Sequence, residues 1–155
     1  MLGHYDNNIR KLERFLEQSA KVHDGNSFFR LQTIPGVGRI IAMTMLYEIH
    51  NIRRFESVGN FLSYCRLVKG EHTSNGKSYG SPGKKIGNTF LKWAFSEAVP
   101  LLKRCNPEVK DWARRMEKKH SAARANSILA AKLGRAVYFM LRRGDVFDVK
   151  KMINS

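Results

Sequence analysis

Cysteine is scarce in this chain: Cys65 and Cys105, far apart, are the two in 155 residues. With no Cys-x-x-Cys pair and no Cys/His cluster at zinc spacing, nothing points to a disulfide framework or a zinc finger, and both thiols are expected to stay reduced and pack as small apolar groups. Acidic residues are few as well, 13 Asp and Glu against 28 Lys and Arg. Asp6, Asp24, Asp111, Asp145 and Asp148 stand in surface or capping contexts rather than apolar strands, which argues against a two-metal nuclease site. His4, His23, His50, His72 and His120 show no metal-ligand spacing, so no metal site is expected. Long apolar runs are missing, so no membrane span is expected. The polar stretch from Met1 to Arg10 carries no secretory signal, and a cytoplasmic location is the expectation. Neither an internal repeat nor a convincing period-two alternation is present.

What remains is a basic, helical chain. Hydrophobic residues make up 43% of the sequence, enough for a real core, and the formal net charge of +15 points to a polyanion partner, nucleic acid ahead of a membrane surface. Tyr5, Ile9, Leu12, Phe15, Leu16 and Val22 recur at helical spacing, giving an amphipathic arm that Asp24-Gly25-Asn26 ends. Ser27 is expected to cap a short helix from Phe28 to Gln32. Further helices are predicted over about Val37 to His50, Val58 to Arg66, Asn88 to Arg104 with a kink at Pro100, Pro107 to His120, and Ala122 to Arg143 closed by Gly144. Phe90 is placed on the buried face of the helix that Asn88 opens. The fold class is therefore all-α: an N-terminal amphipathic helix, a long Gly/Ser/Lys loop and C-terminal helices. As domains, 1–26 form a helical arm and 27–155 the body.

Three stretches suit phosphate. Ile34-Pro35-Gly36-Val37-Gly38 is a Pro-Gly-x-Gly turn with two positions free to take positive φ, and it feeds directly into a helix from Arg39. Its bare N–H groups at a helix start form a phosphate-binding nest, to which Gly36, Val37, Gly38 and Arg39 are assigned. The turn resembles the helix-hairpin-helix element of DNA repair and recombination proteins, which grips the DNA backbone without reading sequence. The second stretch, Lys69 to Gly87, reads as a long exposed loop or a short polar hairpin. It concentrates hydroxyls, glycines and lysines, and Gly76, Lys77, Lys84 and Lys85 are its DNA-binding candidates. Third, residues 103–124 hold eight basic against three acidic residues, and Arg114, Arg115, Lys118 and Lys119 are candidates to track phosphates. On residue types alone a serine in such a loop is much more often a turn former or a backbone contact than a nucleophile.

An ordered series narrows the reading. Ile34-Pro35-Gly36-Val37-Gly38, Leu46-Tyr47-Glu48-Ile49-His50, Phe61-Leu62-Ser63-Tyr64-Cys65-Arg66-Leu67, Ser74-Asn75-Gly76-Lys77-Ser78-Tyr79-Gly80, Lys85-Ile86-Gly87-Asn88, Leu91 to Ala98, Glu117 to His120 and Arg135 to Leu141 together resemble the C-terminal domain of DEDD-type insertion-sequence transposases, the Piv/MooV group. The resemblance covers about residues 28–152. It implies a helix-hairpin-helix core, with residues 1–26 as the end of a linker helix. It also implies that Ser74, in the Ser-x-Gly-Lys stretch, attacks a DNA phosphate and forms a covalent phosphoserine link, with Ser78 and Ser81 as rivals and His72 as a conceivable base. Mg²⁺ would be held by four acidic ligands of an N-terminal RuvC-like domain that this sequence does not contain, so no cofactor is assigned to the chain and no activity is expected from it alone. Partners implied are DNA, a structured guide RNA and further copies of the full-length protein. The competing reading is a non-catalytic helix-hairpin-helix module that binds nucleic acid and uses Ser74 as a plain loop residue; a third assigns the Tyr5–Val22 helix to oligomerisation.

Overall fold

Helices begin where a short polar side chain can take up the first unpaired N–H groups. The computed structural model describes residues 2–68, 73–74, 77–78 and 86–155. In them α1 spans Leu2–Gln32, α2 Arg39–Ile49, α3 Val58–Tyr64, α4 Thr89–Cys105, α5 Pro107–Lys119, α6 Ala122–Arg143 and α7 Val149–Asn154. Ser57, Asn88, Asn106, Ser121 and Asp148 each accept the N–H three residues on, and so cap α3 to α7. The class is all-α, as the sequence predicts. Its one β element among the described residues is minimal: β1 (Thr73–Ser74) pairs antiparallel with β2 (Lys77–Ser78), Ser74 opposite Lys77.

Several details depart from the sequence reading. The break in α1 falls at Asp24 (φ −155°, ψ 75°), within the stretch expected to end the arm, but its cap differs. The Asp24 carboxylate accepts the Ser27 N–H at 3.0 Å, so Asp24 rather than Ser27 caps the second half of the helix. Helix α2 starts at Arg39, two residues later than predicted. Phe90 and Cys105 are exposed, not buried. The 3-10 turn Ile52–Arg54 and α7 have no counterpart among the predicted helices.

Beyond Asp24 the chain enters the core: Phe28, Leu31 and Ile34 are buried. Helix α6 is the central element, packing against α1, α3, α4, α5 and α7. It lets α3 and the residues after it approach closely at Gly134, where a Cβ would stand 2.5 Å from Leu67 Cδ1 and 2.8 Å from Leu62 Cδ2. Aromatic rings fill one part of the core, with Phe55 edge-on to Phe61 at 5.1 Å and Phe61 to Phe95 at 6.3 Å. The buried Tyr138 hydroxyl donates to the Phe55 carbonyl at 3.3 Å. The first part of α1 is different: Tyr5, Ile9, Leu12, Phe15, Leu16 and Val22 remain exposed. Among the described residues no helix is long and apolar enough to cross a membrane.

Candidate nucleic-acid interface and serine segment

The Pro-Gly-x-Gly turn divides into an inner and an outer part. Gly36 takes φ +83°, and a Cβ there would meet the Leu101 carbonyl carbon and Cβ at 2.8 Å; glycine is needed both for the backbone and for contact with α4. Val37 is buried and spends its N–H on Ile34 O at 3.0 Å. Gly38 is the exposed end of the turn. It is extended rather than left-handed (φ −83°, ψ 179°), so the positive φ predicted twice occurs once. Gly38 is the N-cap of α2 with no side-chain cap, and a Cβ on it would meet nothing within 4 Å. The first-turn N–H groups of α2 thus receive no side-chain cap from Gly38. Arg39, assigned to phosphate from the sequence, is tied back to the arm, at 3.3 Å from Glu13 and 3.7 Å from Glu17.

The second candidate stretch is held at its ends. Arg66, at φ +56°, donates from Nε to Ile86 O at 3.0 Å, and the Asn88 N–H donates to Tyr64 O at 2.7 Å. Gly87 (φ +104°) lies between them, where a Cβ would be 2.7 Å from Tyr64 O. Ser74 and Lys77 lie opposite each other in the β1–β2 pair. Gly76, Lys84 and Lys85 lie outside the described residues, as do His72 and Ser81. Asn88, read from the sequence only as the start of α4, does more. Its Oδ1 accepts the Leu91 N–H at 2.8 Å while Nδ2 donates to Glu48 Oε2 at 2.6 Å and to the Tyr64 hydroxyl at 3.3 Å. Arg54 lies over the Tyr64 ring at 4.8 Å and the Phe55 ring at 4.5 Å, and donates to the carbonyls of Ile49 and Glu48. Hydrogen bonds from Asn88 and then Arg54 hold the Tyr64 phenol below its usual pKa, against the opposing effect of burial.

The third stretch is the exposed side of α5. Arg114, Arg115, Lys118 and Lys119 are all exposed there; Arg114 reaches Asp111 at 3.8 Å, a solvated pair worth little. Lys103 is already taken, bonded to Glu117 at 3.3 Å and Asn126 at 2.8 Å. The structure does not gather the candidates at one point. The turn rests on Leu101, whereas the chain that follows the serine segment enters α4 at Thr89, about 18 Å away along that helix. No group of three or more His, Cys, Asp or Glu among the described residues is placed to hold a metal ion.

Residues 29–114 match the sequence signature of the Transposase IS116/IS110/IS902 family, and this stretch holds the turn, the serine segment and the Asn88 network. The chain belongs to that family. This transposase family member is also similar to the transposase for insertion sequence element IS1111A of Coxiella burnetii (strain RSA 493 / Nine Mile phase I), 25% identical over 146 residues. The similarity takes in 92% of this chain and 40% of that protein, so the chain spans well under half the length of the curated relative it matches.

Proposed function

We propose that this chain is the DNA-binding C-terminal domain of an insertion-sequence transposase of the DEDD type, the Piv/MooV group. In this reading it supplies Ser74 as the nucleophile of an active site completed by an acidic RuvC-like domain. The observation that carries the proposal is family membership over the segment that holds Ser74 between pinned ends. In the step assigned to Ser74, an Oγ–P bond forms as a P–O bond to deoxyribose breaks, and the serine proton ends on the departing sugar oxygen. The residues described here do not make a Mg²⁺ site; in this reading the metal belongs to the acidic domain, and no step in this chain runs through it.

DNA is held by phosphate contacts. The uncapped start of α2 at Gly38 supports one contact as half of a helix-hairpin-helix element, and the exposed bases of α5 support a second surface. A structured guide RNA would be a second polyanion for the same charge, and the exposed apolar seam from Tyr5 to Val22 supports contact between copies of the full-length protein. Light scattering across a concentration series tests the latter: a mass that rises and then falls back on Leu12→Glu/Leu16→Glu supports it, and a constant monomer mass refutes it. The deciding experiment is Ser74→Ala in a full-length family transposase carrying this domain. Loss of strand joining with DNA binding retained is the expected result. Normal joining would leave the non-catalytic binding module as the better reading.

A further inference from the structure

The triangle of Asn88, Glu48 and Tyr64 costs more than a helix cap requires. An asparagine needs only its Oδ1 to cap α4, and the Leu91 N–H takes that up at 2.8 Å. Its amide nitrogen is spent on two side chains distant in sequence, Glu48 of α2 at 2.6 Å and Tyr64 of α3 at 3.3 Å. Its backbone N–H also bonds Tyr64 O at 2.7 Å. One residue thus joins α2, α3 and α4 where the serine segment departs and returns. A charge-assisted bond at 2.6 Å is strong and directional, and the half-buried site strengthens it further. Arg54 backs the arrangement, its guanidinium over the Tyr64 ring while its own N–H groups are fixed on the end of α2. The left-handed Arg66 and Gly87 complete the closure. Two non-repetitive backbone conformations and a three-way side-chain bond at one chain crossing go beyond what joining α3 to α4 demands.

We propose that Asn88 is a positioning residue for the serine nucleophile: through Glu48 and Tyr64 it sets the spacing and orientation of the two ends of the segment that carries Ser74. The proposal rests on the assignment of Ser74 above. Misplacement of a reacting group by an ångström costs orders of magnitude in rate, so a rigid base is what such a segment needs if it is to deliver an oxygen to a phosphorus.

Asn88→Asp tests it without removing the cap. Aspartate caps α4 as well as asparagine does, but it loses both amide donations and sets a carboxylate against Glu48. Adding Glu48→Gln to that variant returns the bond with donor and acceptor exchanged, and the Tyr64 hydroxyl can then donate to the introduced carboxylate. Glu48→Gln alone keeps an acceptor for Asn88. The expected pattern in a full-length family transposase carrying this domain is strand joining slowed about tenfold or more by Asn88→Asp, and restored to within about threefold by the double variant. On the 155-residue chain, amide hydrogen exchange across residues 73–78 should speed up in Asn88→Asp by more than exchange in α5 and α6 does, and slow again in the double variant, with the thermal midpoint lowered in the single variant and recovered in the double. Tyr64→Phe, which keeps the ring under Arg54 and removes only the hydroxyl, should shift exchange in the same direction as Asn88→Asp. Joining unaffected by Asn88→Asp while Ser74→Ala is dead overturns this inference and leaves the serine assignment standing. A double variant as slow as the single overturns it as well, since the residues would then act only through general stability. Normal joining by Ser74→Ala removes the assignment, and the inference falls with it.

Discussion

At the scale of single residues, the two glycines of the Pro-Gly-Val-Gly turn have separable roles. Gly36 is structural: its positive φ and its 2.8 Å approach to the Leu101 backbone predict that Gly36→Ala lowers stability by about 2 kcal/mol or more in denaturant unfolding. Gly38 is open and extended, and Gly38→Asp should leave the unfolding midpoint unchanged or slightly raised, because aspartate is a good N-cap. The same carboxylate would occupy the N–H groups offered to phosphate. The cysteines divide in the same way. Burial pushes the Cys65 thiol up to about 12, whereas Cys105 is exposed. A thiol reagent at about pH 8 is therefore expected to label one cysteine in the native chain and two in denaturant; rapid labelling of both in the native state would contradict the packing described around Cys65. The sequence alone shows that the turn needs glycine. It does not show which glycine faces the core, because Leu101 is brought there by α4 from far along the chain.

At the scale of elements, helix starts were legible and side-chain commitments were not. Ser57, Asn88, Asn106 and Ser121 announce α3, α4, α5 and α6 because capping is chemistry within one turn. The 3-10 turn at Ile52–Arg54 and the six-residue α7 carry caps too, Asn51 and Asp148, but no sustained apolar run at helical spacing follows either cap to mark it as a helix start. They are too short to be stable alone and depend on tertiary burial, as at Ile52 and Met152. Partners distant in sequence were equally hidden. Arg39 reads as a free cation until α1 lays Glu13 and Glu17 against it, and Asn88 reads as a simple cap until α2 brings Glu48 across. Of the three phosphate-binding candidates, part of one, Gly76, Lys84 and Lys85, lies outside the described residues. One prediction belongs here. Gly134→Ala gains helix propensity of nearly 1 kcal/mol but forces Leu62 and Leu67 off α6, so a net loss of about 1 kcal/mol is expected in thermal or chemical unfolding. A gain in stability would show that the α3–α6 contact yields without cost.

At the scale of the whole molecule, the charge balance is the main fact. Six of the 13 acidic side chains are engaged internally: Glu13 and Glu17 on Arg39, Glu48 on Asn88, Glu117 on Lys103, and Asp24 and Asp148 as caps. The basic excess of +15 is left for a polyanion. The arm up to Asp24 differs from the body, with an exposed apolar seam and acidic residues that pair with Lys21 and Arg39. In the proposed reading the charge of the body is for nucleic acid and the exposed apolar seam of the arm is for protein.

The most direct test is the affinity of the 155-residue chain for duplex DNA and for structured RNA across a salt series, with Gly38→Asp beside it. The account predicts a steep fall, with a log–log slope on duplex DNA of about −0.9 for each phosphate contact, and a weaker, shallower dependence in Gly38→Asp at an unchanged unfolding midpoint. Binding that is insensitive to salt, or equally tight in Gly38→Asp, would contradict it and leave the turn as a structural corner between α1 and α2.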